Sequence, residues 1–360
     1  MREQMATLKE IAEKAGVSVM TVSNVVNGNY SKVSQKTAER VKKIIDELNY
    51  EPNLFARSLS AKRSHIIAII LPAWRKTREN LLSDPYNQEM VGLLEANLNK
   101  SDYYMMMRSF NKYTEVLSFF KNWNIDGAIM FYPSFRDEEM RAILDGGVPT
   151  VVIDRKFEKF PSLTVDLDDY KSGYIAAKCF LRYGHRELAF VGPFFPPATK
   201  TDYLNGAAIS SRTSSTVIMD RMNGFIDGLK EYGVHLREEN IIAGDTTFEA
   251  GIETGKMLAM IQENRPTGIF ATMDIQAIGI IEGLKRHGLS VPGDISVIGC
   301  DDWIGCQFCD PKLTTVAQDF KEKASKVVDL LLKAIDNPVL KGERITLGVE
   351  LVERNSVRRI

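Results

Sequence analysis

The chain has 360 residues, 44% hydrophobic and 26% charged, with 46 basic against 47 acidic side chains and a formal net charge of −1. That length and apolar content exclude a disordered chain and allow one small domain plus a larger α/β body. No stretch is apolar for long enough to cross a bilayer and no basic-then-apolar leader opens the chain, so a cytoplasmic protein with no membrane partner is expected.

Charge is unevenly divided. Through Ser64 there are eleven basic and seven acidic residues, so this head carries +4 and the remainder −5. A basic head on an acidic body points to a polyanion partner at one end only. Cys179, Cys300, Cys306 and Cys309 are too few and too unevenly spread for a disulfide framework, so reduced thiols are expected. Cys306-x-x-Cys309 near Cys300 leaves a metal or redox pair as the alternative, without a fourth ligand at metal spacing to complete it.

The first fifty residues read as three short helices. Thr7-Leu8-Lys9-Glu10 is a capping box opening a helix to Ala15. Gly16-Val17 makes a tight turn, Ser18 caps a second helix over Val19 to Val26, and Asn27-Gly28 ends it. Ser34 caps a longer helix whose Val41, Ile44, Ile45 and Leu48 recur at helical spacing, and Asn49-Tyr50 stops it. After Pro52, the segment 53–60 is too short to be a stable helix alone and reads as a conditionally folding linker.

From Ile66 onward, apolar runs alternate with helical stretches. Strands are expected at Ile66–Leu71, Tyr104–Met107, Ala128–Phe131, Thr150–Ile153, Leu188–Val191, Ile269–Thr272 and Ile295–Ile298. Strand–helix alternation implies parallel sheets covered on both faces, with ligands at the carboxyl ends of the strands. The body is longer than one ordinary domain, so two such lobes are expected. The Ser/Thr/Ala-rich stretch Pro196–Thr216 is the candidate long loop or lid.

The run Thr7-Leu8-Lys9-Glu10-Ile11-Ala12-Glu13-Lys14-Ala15-Gly16-Val17-Ser18, followed by Thr21-Val22-Ser23 and Val25-Val26-Asn27-Gly28, resembles the head of the lactose-repressor/galactose-repressor family. Val33-Ser34, Leu48-Asn49-Tyr50-Glu51-Pro52-Asn53 and Ala56-Arg57-Ser58-Leu59 resemble its third helix and hinge. Gly184-His185-Arg186, Asp294 to Gly299, Asp301-Asp302, Leu313 to Val316 and Gln318 extend the similarity over nearly the whole chain.

The resemblance implies an N-terminal helix-turn-helix DNA-binding domain plus a periplasmic-binding-protein-like body of two parallel α/β lobes. Its divisions are a head at 1–52, a hinge helix and linker at 53–64 and an effector-binding and dimerisation body at 65–360. Lobe one is expected at about 65–165 and 319–347 and lobe two at about 166–317 and 348–360, with crossings near Val165, Gln318 and Leu347. It also implies a homodimer on operator DNA, since the chain ends at Arg358-Arg359-Ile360 without the leucine-repeat tail of tetrameric members.

A helix fits the major groove, and helix-turn-helix proteins present the start of their second helix there. Val19, Met20 and Asn24 are therefore the base-reading candidates. Thr7, Ser18, Thr21, Ser23, Asn27, Lys32, Ser34 and Tyr50 match family positions that hold phosphates or steady the helix, with capping alone as the other reading of Ser18 and Ser34. Asn53 and Ala56 match the hinge. Leu59 matches the family's leucine wedged between base pairs in the minor groove; its other reading is an i,i+4 contact with Phe55. Val19 and Met20 have no hydrogen-bonding head, whereas the Asn24 amide suits adenine's N6 and N7, so A·T-rich outer half-sites are expected unless Asn24 touches only phosphate.

In the body, the match places Arg221 where the family's arginine bonds sugar hydroxyls and Asp301 at its aspartate acceptor. Asp154, Arg155 and Gln318 are further effector candidates, and Trp74, Tyr86 and Tyr132 are the aromatics that could stack on a sugar ring. Met273 departs from the family, which usually has asparagine before the aspartate that starts the next helix. The expected function is a transcriptional regulator, most simply a repressor, controlled by a small sugar-like effector; the alternative is a transport-associated sugar-binding protein. P-loop, GxSxG, HExxH and dinucleotide motifs are missing and His65, His185, His235 and His287 sit in unrelated settings, so neither catalysis nor a cofactor or metal is expected.

Overall fold

The structure, a computed structural model, describes residues 6–26, 28, 30–48, 50, 63–72, 81–193 and 216–360. The chain divides into two compact units, Met1–His65 and Ile66–Ile360.

The first unit holds α1 (Leu8–Ala15), α2 (Val19–Val26), a 3-10 turn (Tyr30–Lys32) and α3 (Gln35–Glu47). The Thr7 capping box is formed in both directions: the Glu10 amide donates to Thr7 Oγ1 at 3.3 Å, and the Thr7 amide donates to Glu10 Oε2 at 2.7 Å. Gly16 closes α1 at φ +60°, a left-handed conformation without penalty for a residue lacking Cβ. Helices of eight residues do not persist alone in water. These are held by a shared core of Ile11, Ala12, Ala15, Val22, Val25, Ala38 and Val41, against which Ile44, Ile45 and Leu48 pack half-buried.

The second unit contains two six-stranded sheets. Its elements are β1 (Ile66–Pro72), α4 (Pro85–Asn99), β2 (Tyr104–Phe110), α5 (Tyr113–Asn122), β3 (Gly127–Phe131), α6 (Asp137–Leu144), β4 (Thr150–Ile153), β5 (Leu163–Leu167), α7 (Asp169–Arg182), β6 (Leu188–Gly192), α8 (Thr216–Lys230), β7 (Ile241–Ala243), α9 (Phe248–Ala259), β8 (Gly268–Ala271), α10 (Asp274–Arg286), β9 (Ser296–Asp301), β10 (Thr314–Ala317), α11 (Phe320–Asp336), β11 (Glu343–Leu347) and β12 (Glu350–Val352). The first sheet runs β11-β5-β4-β3-β1-β2 and is parallel throughout. The second runs β12-β10-β9-β8-β6-β7 and is parallel except for β12, which is antiparallel to β10.

Strands covered on both faces are apolar along their whole length, which is why β3, β4 and β6 stand out in the sequence and are buried at every residue. The polar-bearing strands do not stand out. In β5 the buried Asp166 is matched by Arg344 of the adjoining β11, whose Nε donates to it at 2.8 Å. The chain passes between the sheets after Leu167, after Ala317 and after Leu347. Lobe one is the first sheet with α4, α5, α6 and α11. Lobe two is the second with α7, α8, α9 and α10.

Helices α7 and α8 cross in backbone contact. A Cβ on Gly173 would stand 1.7 Å from the Arg221 carbonyl oxygen, and one on Gly224 would stand 1.8 Å from that of Tyr170. Gly173→Ala is therefore expected to lower the unfolding free energy by about 1–3 kcal/mol or more, because backbone cannot yield as a side chain does. Gly92→Ala in α4, where a Cβ meets open space, is expected to leave it level or slightly raised. Urea unfolding of the two variants checks the crossing, which is wrong if they behave alike.

Candidate functional site

The head presents one edge of α2. Val22 and Val25 enter the core, while Val19 and Met20 at the start of the same helix are 45% and 70% exposed. Asn24 is half-buried on the next turn, with Thr21 and Ser23. Ser18 caps α2: its Oγ accepts from the Thr21 amide at 3.1 Å and lies 2.9 Å from the Thr21 hydroxyl. Ser34 caps α3 through the Thr37 amide at 3.3 Å. Lys32 is exposed on the 3-10 turn and Tyr50 is half-buried against the helical core. Asn27, Asn53, Ala56, Leu59, Trp74 and the stretch 196–215 lie outside the described residues.

In the body the candidates gather at the carboxyl ends of strands from both lobes. Tyr132 follows β3, Asp154 follows β4, Asp301 ends β9 and Gln318 follows β10. Among the described residues, positive φ outside glycine occurs at His65, Asp102, Tyr132, Asp154, Asn264, Asp301 and Asp302. Four of these seven are strand ends facing the lobe junction, which is where strained backbone is worth reading as functional.

One polar chain joins them. The Tyr86 hydroxyl on α4 donates to Asp154 Oδ2. Lys323 Nζ on α11 donates to Asp154 Oδ1 at 2.6 Å and to Gln318 Oε1 at 3.1 Å, and lies 5.1 Å from the Tyr86 ring centroid. Gln318 Nε2 then donates to Asp301 Oδ1 at 2.7 Å. Tyr132 joins from the side: its hydroxyl donates to Asn87 Oδ1 at 2.8 Å and its ring centroid lies 6.2 Å from that of Tyr86. Burial first, and then the Asp154 carboxylate, raise the Tyr86 phenol well above its ordinary value, so it stays a donor.

On the lobe-two side, Arg221 of α8 is 3% exposed. Its Nε donates to Asp169 Oδ1 at 2.9 Å and its Nη1 to the Thr272 carbonyl at 2.5 Å. The other carboxylate oxygen of Asp169 and the Thr272 hydroxyl are buried without a partner among the described residues. Burial lifts the Asp169 carboxyl to about 6, with the Asp154 charge adding to the rise and Arg221 opposing it. Asp301 is raised well above the carboxylate range by burial, opposed by Arg221 and reinforced by Asp274 and Asp84.

Arg155 is not brought into this group. Its guanidinium donates to the carbonyls of Pro133 and Phe135 and to Asp137 Oδ1 at 3.0 Å, all within lobe one. Met273 precedes α10 without a side-chain cap. Asp274 instead ties β10 to the segment that follows β9, accepting from the Asp302 amide at 2.6 Å, the Thr315 hydroxyl at 2.6 Å and the Cys306 thiol at 3.0 Å. The Cys309 thiol donates to the carbonyls of Cys306 and Pro311. Among the described residues no cluster of three His, Cys, Asp or Glu side chains could hold a metal ion.

Lys323 and Asp169 are missing from the sequence reading. Lys323 left a signal: it shares a helical face with Phe320, Ala324, Val327 and Leu331, all buried, so a charged residue occupies a core position.

A helix-turn-helix unit and a two-lobed α/β body with polar groups at its strand junction define a DNA-binding regulator carrying a ligand-binding body. Residues 7–53 match the model of bacterial regulatory proteins of the lacI family, and residues 177–357 that of the periplasmic binding protein-like domain. The HTH-type transcriptional regulator DegA of Bacillus subtilis is 31% identical over 358 residues, 97% of either chain. The HTH-type transcriptional repressor PurR of Actinobacillus pleuropneumoniae is 29% identical over 99% of either chain. This chain belongs to the LacI family of bacterial transcriptional regulators. The Lac repressor dimer, solved bound to operator and the anti-inducer ONPF, has a TM-score of 0.80 at 26% identity over 99% of this chain and 100% of that one. The CelR–cellobiose complex, at 24% identity over 98% and 99% of the chains and a TM-score of 0.68, shares the fold. Among the described residues no helix is long and apolar enough to cross a membrane.

A carboxyl held near 6 in the folded chain keeps its proton there while the unfolded chain, ionising near 4, gives its proton up. Asp169 therefore costs stability progressively as pH climbs from about 4 to about 6, with no further change above. Asp169→Asn removes this titration. The wild-type minus variant difference in unfolding free energy is expected to move against the wild type across that window and then level off; a difference flat with pH removes the assignment.

Proposed function

We propose that this chain is a sequence-specific transcriptional repressor that binds operator DNA as a homodimer and is controlled by a small polyhydroxylated, sugar-like effector held between its lobes. The observation that carries the reading is α2, which buries Val22 and Val25 yet leaves Val19 and Met20 at its start in solvent. Apolar side chains left out of a core at that end of the second helix suit the floor of a major groove. In the proposed division, residues 1–52 are the head and 53–64 the hinge; the lobe boundary expected near Val165 falls at Leu167, the end of β5, so 65–167 with 319–347 is lobe one and 168–317 with 348–360 is lobe two.

In the head, Val19, Met20 and Asn24 read bases, with Thr7, Ser18, Thr21, Ser23, Asn27, Lys32, Ser34 and Tyr50 at the phosphates or steadying the helix. Asn53, Ala56 and Leu59 form the minor-groove hinge. Asp154, Gln318, Asp301, Arg221, Tyr86 and Tyr132 hold the effector, and Lys323 and Asp169 join them. Two carboxylate–cation pairs, Asp154 with Lys323 in lobe one and Asp169 with Arg221 in lobe two, give each lobe an acceptor beside a donor. A hydroxyl both donates and accepts, so it can enter such a pair on either side. The Asp169 oxygen and Thr272 hydroxyl without partners supply further points of attachment. An effector that prefers one lobe arrangement shifts the DNA-binding equilibrium by its difference in affinity for the two arrangements. The helix-turn-helix match over residues 7–53 speaks against a transport-associated binding protein.

The Lac repressor, solved with operator and an anti-inducer, supports both halves of the proposal. Operators selected from a random pool, titrated with a sugar panel, test them together. Arg221→Ala is expected to keep operator affinity within about twofold while abolishing the sugar response, since a buried charge-assisted bond contributes about 1.5–3 kcal/mol. Calorimetry showing a responsive sugar bound equally by wild type and variant places the pocket elsewhere.

Asn24→Arg is expected to move the selected half-site from adenine toward guanine at one position, a bidentate contact being worth about 1–3 kcal/mol of discrimination. Identical selected sites for both proteins assign Asn24 to phosphate.

A further inference from the structure

We infer that the ion pair between Lys156 and Asp220 is the clamp that sets the spacing of the two lobes, making it a positioning pair for the binding cleft. The inference rests on the reading of the lobe junction as the effector site and adds how that site's width is held. Lys156 lies three residues beyond β4, in lobe one, and Asp220 lies on α8, in lobe two. Lys156 Nζ is 2.6 Å from Asp220 Oδ2, with the side chains only 20% and 32% exposed. Among the described residues no other ion pair joins the two lobes.

Placement gives the pair its consequence. Lys156 is two residues past Asp154, and Asp220 directly precedes Arg221. The bond therefore ties the lobe-one strand end that carries Asp154 to the lobe-two helix that carries Arg221. The separation of those two groups is fixed by a contact neither of them makes. The neighbouring cations do not compete for Asp220. Arg155 is committed to Pro133, Phe135 and Asp137, and Arg221 to Asp169 and Thr272. Two α/β lobes joined by three chain passages have their relative rotation as the soft motion, and a partly shielded pair across the junction acts on that motion directly.

Hydrogen exchange on the full-length protein with no sugar or DNA added tests this, using Lys156→Met, Asp220→Asn and the reversed pair Lys156→Asp with Asp220→Lys. Each single variant is expected to raise exchange several-fold at the strand ends around Tyr132 and Asp301, away from the substituted side chains, as well as around 154–156 and 220. The reversed pair is expected to restore protection at those strand ends. Changes confined to the two substituted segments, or strand ends as protected as in the wild type, overturn the proposal and leave the pair a local contact. Should Lys156→Met melt the body, shown by a lowered Tm and exchange rising through the middle of β3 and β9, the near-isosteric Asp220→Asn decides between the same two outcomes. Because no effector is present, the clamp can fail while the Arg221→Ala titration still supports the effector site, and the reverse holds equally.

Discussion

An ammonium group taken wholly out of water has to be paired, and Lys323, with no exposed surface, organises the centre of the body around that requirement. Its charge is met by Asp154, its second bond goes to Gln318, and its third side faces the Tyr86 ring. Asp154 in turn is held at φ +57° with its other oxygen taken by the Tyr86 hydroxyl. Because Gln318 follows β10 and passes its amide hydrogen to Asp301 of β9, the lysine's surroundings run from a lobe-one strand end, through a chain passage, to a lobe-two strand end. Parallel strands aim their carboxyl ends the same way, so two such sheets joined by short passages can bring these polar termini together.

The consequence is a junction whose donors and acceptors are largely spent on one another. A molecule entering it must replace protein–protein hydrogen bonds with its own, which favours a ligand dense in both donors and acceptors and penalises a bare apolar one. The shifted carboxyls belong to the same economy. Asp169 and Asp301 are buried, and each faces another carboxylate as well as Arg221, so their protonation depends on what the junction contains. Any change in the spacing of the lobes alters these electrostatics together with the hydrogen bonds.

The head obeys a simpler constraint. Three short helices share one small core, and each end is secured locally: Thr7, Ser18 and Ser34 cap the starts, and Gly16 turns the first helix into the second. Those hydroxyls are already engaged with backbone amides, so a contact with phosphate would be an addition to their capping role. Val19 and Met20 have no such internal duty, which makes their exposure informative.

Much of this was legible in the sequence because the signals are local. Capping boxes, a left-handed glycine and helical spacing of apolar residues act over four to seven positions, and they placed the three head helices and most of the apolar body strands. Strands covered on both faces announced themselves by unbroken apolar runs. The polar-bearing β5, β10 and β11 did not, since Asp166 in β5 is acceptable in a buried strand only because Arg344 arrives from 178 residues away. The same reason separates the site residues. Asp154, Gln318 and Asp301 could be chosen one at a time, as polar groups at strand ends or as matches to a family. That Arg155 turns back into lobe one, that Lys323 bridges Asp154 and Gln318, and that Asp220 rather than its neighbour reaches across to Lys156 are decisions about direction. They are made by which side chains meet when two sheets close on each other, and the order of residues along the chain does not encode that meeting locally.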